Sequence, residues 1–99
     1  MFGLIGKIVA MAGKRDELAG ILLEGAGEMP GCLSYVVAHD AADADSIWVT
    51  EVWESQEHHR ASLSLPAVKQ AIERAKPLIA SFGNFVQTLP IGGHGLHAT

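Results

Sequence analysis

Residues 32–53 read CLSYVVAHDAADADSIWVTEVW, and this stretch decides the fold. Two runs rich in β-branched and aromatic residues, Cys32–His39 and Ile47–Trp53, flank Asp40–Ser46, which holds only small residues and aspartates. Side chains of the first kind suit a pleated surface, and the small acidic stretch is a loop. So short a link makes the two runs an antiparallel hairpin. Leu33, Tyr35 and Val37 fall on one face of its first strand, and Cys32, Val36 and Ala38 mostly on the other.

Working outward, Phe2–Met11 is a strand apolar on both faces, as suits an inner strand covered on each side. Ala12-Gly13 breaks it. Lys14 to about Gly27 is a helix with Leu18, Ile21, Leu22 and Gly25 on one stripe. Gly20, Gly25 and Gly27 each weaken it by roughly 1 kcal/mol relative to Ala. Met29-Pro30-Gly31 is a turn into the hairpin. Beyond the hairpin, Ser55 is placed to cap a short helix running to about Leu63. Pro66 suits the first turn of a further helix, whose buried stripe is Val68, Ala71, Ile72, Ala75 and Ile79. Lys69 and Glu73 are spaced to pair on its flank, and Pro77 should kink it. Phe82–Leu89 is the last strand, and the end of the chain is Gly- and His-rich.

The order β-α-β-β-α-β predicts an α+β, ferredoxin-like domain over residues 1–91: a four-stranded antiparallel sheet with helices on one face. Residues 92–99 are expected to be a flexible tail. The helix-free face still carries apolar side chains, so a homodimer pairing sheet against sheet is expected.

Totals narrow the function classes. At 99 residues the chain has room for one core, and 48% hydrophobic content excludes a disordered segment. A net charge of −4 with seven Lys and Arg argues against nucleic acid, because no basic patch can form to neutralise phosphates. Cys32 is the single cysteine, so no intrachain disulfide forms. The apolar start is too short for a bilayer and lacks a basic leader, so no membrane association and a cytoplasmic location are expected.

Pro30-Gly31-Cys32-Leu33-Ser34-Tyr35, Glu51-Val52-Trp53-Glu54-Ser55 and Leu65-Pro66-Ala67-Val68-Lys69, with Gly13-Lys14-Arg15-Asp16-Glu17-Leu18 before them, resemble the signature stretches of the antibiotic-biosynthesis-monooxygenase family. The resemblance covers roughly residues 4–89 and implies a dimeric α/β barrel. It also implies oxidation of phenolic polycycles or hydroquinones to quinones by O2 without metal, flavin or haem. Some relatives degrade haem and many have no assigned activity, so the fold alone does not fix the chemistry.

The resemblance places Trp53 in a substrate pocket, although a strand Trp is more often core packing. It sets His59 where phenol-oxidising members carry a polar ring against the substrate. An imidazole, with an unperturbed pKa of about 6.5, suits proton abstraction from a phenol; the plainer reading is a packed helical histidine. His58, rotated around the helix, points to solvent. Ser62, one turn beyond His59, can share its cavity. Tyr35 and Asn84 are candidates to hydrogen-bond a bound ring, though each is more often structural. Glu51 is either a partly buried carboxylate with a raised pKa or a solvent-facing ladder partner, and the sequence leaves both open. Val49 stands where the resemblance would put a pocket Asn, and Ile72 where it would put an Arg.

No cofactor motif is legible, and no carboxylate or thiol completes a metal set with His58-His59 or with His94 and His97. Cys32 reads as a small packed residue. The first strand lacks the Asn that the haem-degrading relatives use there. The expected function is therefore cofactor-independent oxidation of a small aromatic substrate, with a non-catalytic dimeric binding module as the alternative and haem degradation a distant third.

Overall fold

In the computed structural model, which describes residues 1–96, the predicted hairpin is present, formed by β2 (Cys32–His39) and β3 (Ser46–Trp53). Around it stand β1 (Phe2–Ala10), α1 (Arg15–Gly25), α2 (Gln56–Ser62), α3 (Pro66–Ala75) and β4 (Ile79–Thr88). The sheet runs β2-β3-β1-β4 with every pairing antiparallel. This is the expected ferredoxin-like α+β arrangement, with β1 an inner strand.

Register decides which side chains meet. Phe2 pairs with Trp53, Leu4 with Glu51, Gly6 with Val49 and Ile8 with Ile47, while Tyr35 opposes Glu51 and Val37 opposes Val49. Directly opposed residues share a face, so these all point toward the helices. Ile8, Ile47 and Val49 meet Leu18 and Ile21 of α1 in the core, where Leu18 and Ile47 are fully buried. Where α1 meets α3 the backbones come close: a Cβ on Gly25 would lie 2.6 Å from that of Ala71.

Three local expectations change. β4 starts at Ile79 rather than Phe82, because the Pro77 kink is a single 3-10 turn over Lys76–Leu78 that delivers Ile79 opposite Ala10. The flank pair Lys69–Glu73 does not form; Glu73 accepts instead from Lys76 Nζ at 3.1 Å. On α3 only Ala71 and Ala75 are buried, while Ile72 is exposed and Val68 half-buried. The stripe holds from Val68 to Ala75, its expected last member Ile79 belongs to β4 instead, and its outer members face a void. Ile5, Val36 and Val86 lie exposed on the helix-free face. Among the described residues, no helix is long and apolar enough to cross a membrane.

The loop Asp40–Asp45 is tied off by its own carboxylates. Asp40 Oδ1 accepts from the N–H groups of Ala42 and Asp43 at 2.8 and 2.9 Å, and its Oδ2 from Trp48 Nε1 at 2.7 Å. The tail histidine pair cannot be placed as a pair, since His97 lies outside the described residues.

Candidate functional site

The void beside α3 is a cavity of about 610 Å³ between the sheet, α2 and α3, within the range of roughly 300–1,000 Å³ that small-molecule sites occupy. Its walls are largely apolar, with Ile72 and Val68 from α3 facing Phe82 and Phe85 of β4. Gly6 makes room on the sheet for Phe85, because any Cβ there would collide with that ring.

The polar groups converge where β3 ends under α2. The Ser55 hydroxyl accepts from the His58 N–H at 3.2 Å, so the predicted cap starts α2. One turn of helix then brings His59 over the sheet. Its ring stands 5.5 Å from Phe2 and 5.4 Å from Trp53, edge-on to the latter. Its Nε2 lies 3.9 Å from Glu51 Oε1, too far for a hydrogen bond but within reach of an ion pair when the imidazole is protonated. The two side chains are 22% and 15% exposed, and both border the cavity.

Glu51 resolves toward the first of its two readings. It is largely buried, accepts from Trp53 Nε1 at 3.0 Å, and its pKa is raised by desolvation, with the Trp53 N–H and His59 opposing that rise. Tyr35 borders the cavity from β2; burial, then the Glu51 charge, push its phenol well above its ordinary range, so it stays a neutral hydroxyl. Trp53 is 1% exposed, its N–H satisfied and its ring a wall of the cavity. Packing and pocket lining thus coincide in one residue.

Ser62 also borders the cavity, but its hydroxyl donates to the His59 carbonyl at 2.6 Å. It serves the helix backbone first. Asn84 lies in the β4 bulge opposite Lys7, exposed and outside the cavity lining. His58 does not simply point to solvent. Its Nδ1 is 2.7 Å from Ser55 Oγ, and its ring packs on Gly31, whose φ of +80° and lack of a Cβ both suit glycine. Cys32 is half-buried with its thiol on the Ser34 carbonyl at 3.6 Å, and burial raises its pKa, as suits a packed residue. Among the described residues no cluster of three or more His, Cys, Asp or Glu could hold a metal ion.

The contacts of Glu51 and Phe2 with His59 were not read from the sequence. A signal for the first was present: Ile47, Val49, Glu51 and Trp53 alternate, so Glu51 had to share the face of three core residues.

The family model for antibiotic biosynthesis monooxygenase matches residues 1–74. No curated protein matches the sequence. A crystal structure from Chloroflexus aurantiacus J-10-fl, named for the same family, is 58% identical with a TM-score of 0.95, covering 97% of this chain and 98% of that one. One from Deinococcus radiodurans is 24% identical at TM-score 0.77 over 99% and 100% of the two chains. Another, from Nitrosomonas europaea, is 12% identical at TM-score 0.83 over 93% and 100%. The last two speak to the fold alone. With a family match across about three quarters of its length and a structural relative 58% identical, the chain belongs to the antibiotic biosynthesis monooxygenase family.

Proposed function

We propose that the protein is a cofactor-independent monooxygenase that oxidises a small phenol or hydroquinone with O2 to a quinone, with His59 as the base. The observation that carries this reading is an imidazole held between Phe2 and Trp53 at the polar end of an apolar cavity of about 610 Å³. For a phenol with an open para carbon, His59 takes the hydroxyl proton. The para carbon of the anion then bonds to O2 and the adduct is protonated to a hydroperoxide. Loss of water breaks the O–O bond and removes the hydrogen from that carbon. One oxygen atom stays as the new carbonyl and the other leaves in water. The walls hold the ring in place beside the base.

The test is oxygen uptake on a panel of phenols and hydroquinones with metal-stripped protein. His59→Ala should slow turnover about 10²–10⁴-fold with stability changed by less than about 1 kcal/mol. His58→Ala, which borders no part of the cavity, should leave the rate nearly intact. Equal rates for His59→Ala and the parent would remove His59 as the base.

The competing reading, a binding module without catalysis, draws on the Ser62 hydroxyl being turned onto its own helix. Ligand binding without oxygen uptake would favour it. We further propose a homodimer in which a second copy covers Ile5, Val36 and Val86 on the helix-free face. Light scattering showing a monomer at micromolar concentration would exclude that assembly.

A further inference from the structure

We propose that the cavity selects an uncharged arene bearing two adjacent hydroxyls, one donating to His59 Nε2 and the other to the Glu51 carboxylate. The inference rests on the reading of this cavity as the substrate site, and makes Glu51 a substrate-contacting residue.

The argument starts from an unused acceptor. Glu51 Oε1 takes the Trp53 N–H, and Oε2 accepts nothing from the protein among the described residues. A carboxylate offers about four lone-pair sites, so most of this one's capacity faces the cavity it borders. While the cavity is wet, water fills that capacity. A ring that displaces the water must replace its hydrogen bonds or leave a buried carboxylate short of partners, which is costly.

Spacing chooses among donors. His59 Nε2 stands 3.9 Å from Glu51 Oε1, whose second lone pair the Trp53 N–H leaves open and whose carboxylate carries Oε2 beside it. Hydroxyls on neighbouring ring carbons aim two O–H groups along one edge, slightly diverging, and reach such a pair at ordinary lengths of about 2.7–3.0 Å. A lone hydroxyl satisfies one acceptor and strands the other. Hydroxyls at opposite ends of a ring cannot both reach.

Charge chooses next. The basic group on the lining besides His59 is Lys76, which lies at the solvent-exposed rim and is engaged with Glu73 at 3.1 Å. An aromatic carboxylate would meet the Glu51 charge with no cation inside to offset it. Tyr35, held neutral beside Glu51, adds a hydroxyl but no charge. The apolar remainder, with Phe82 and Phe85 on one wall, suits a second fused ring.

Calorimetry under argon at neutral pH, with the full chain, separates these claims. Naphthalene-2,3-diol should bind about tenfold or more tightly than 2-naphthol and than naphthalene-1,4-diol, and 2-naphthoate should bind weakest. In Glu51→Gln, which keeps an oxygen for the Trp53 N–H, the diol should fall to within about threefold of 2-naphthol. Affinity for 2-naphthol, which needs His59 alone, should change less than about threefold and thereby shows the variant to be folded. Equal binding of diol and 2-naphthol, a preference that survives Glu51→Gln, tighter binding of 2-naphthoate, or no binding of any probe would each overturn the proposal. Selective diol binding, with no oxygen uptake on any phenol whose para carbon is open, would retire the oxygenation reading and leave this one standing. Uptake with para-hydroquinones and no diol preference would do the reverse.

Discussion

Two indole–carboxylate pairs sit on opposite faces of the same strand, and they behave oppositely. On the helix-free face Trp48 donates to Asp40 at 2.7 Å; on the helix face Trp53 donates to Glu51 at 3.0 Å. The carboxyl of Asp40, at the surface, is held down to about 2 by the Trp48 bond and two backbone N–H groups. Glu51 has one such donor and is buried, and its pKa moves up. The indole is common to both, so solvation and donor count set the direction. The first pair ties off a loop. The second keeps a charge at the end of a cavity.

Substituting the two indoles breaks the comparison most forcefully. Trp53→Phe should cost about 2–3 kcal/mol in urea unfolding, since it removes apolar contact from a buried ring and strips Glu51 of its donor. Trp48→Phe should cost about 1 kcal/mol or less, because water can take over at Asp40. Equal costs would mean that burial does not distinguish the pairs.

The carboxylates sharpen it through pH. A raised pKa in the folded state means that Glu51 ionises more readily in the unfolded chain, so its charge costs stability as pH climbs above the ordinary value of 4.5. Glu51→Gln should therefore melt progressively higher than the parent from pH 4 to pH 7. A gap that shrinks over that range would reverse the assigned direction. Asp40 has the opposite sign and the smallest effect. Its contribution is complete above its ordinary 3.8 and is lost as pH falls toward about 2. Asp40→Asn should melt below the parent at pH 7 and converge with it in acid, as followed by circular dichroism.

Much of this was legible in the sequence. The hairpin, the inner strand, the Ser55 cap and the kink at Pro77 each depend on local chemistry, and local chemistry is what a pattern of residues records. The site was partly legible: Trp53, His59, Tyr35 and Ser62 do border one cavity. Illegible were the matters of distance between elements. Val68 and Ile72 have core-like spacing, yet no pattern says how far α3 stands from β4. The sheet bulge that sets Asn84 outside the cavity is equally silent, as it depends on how Gly83 and Asn84 pass Lys7. The Ser62 hydroxyl faced two outlets, cavity or backbone, and only geometry chose between them.

The contact between Gly31 and His58 carries a consequence for how the sequence can drift. Any side chain at position 31 would both oppose a φ of +80° and collide with the His58 ring, which is bonded to the residue capping α2. That helix presents the neighbouring His59 to the cavity. Position 31 therefore cannot change alone: a lineage that gains a side chain there must first shrink residue 58, which gives up the imidazole bond to Ser55 but keeps the backbone N–H that the cap holds. The two positions, 27 residues apart, form a heritable unit, and their joint substitution is the genetic trace to seek in any divergent descendant.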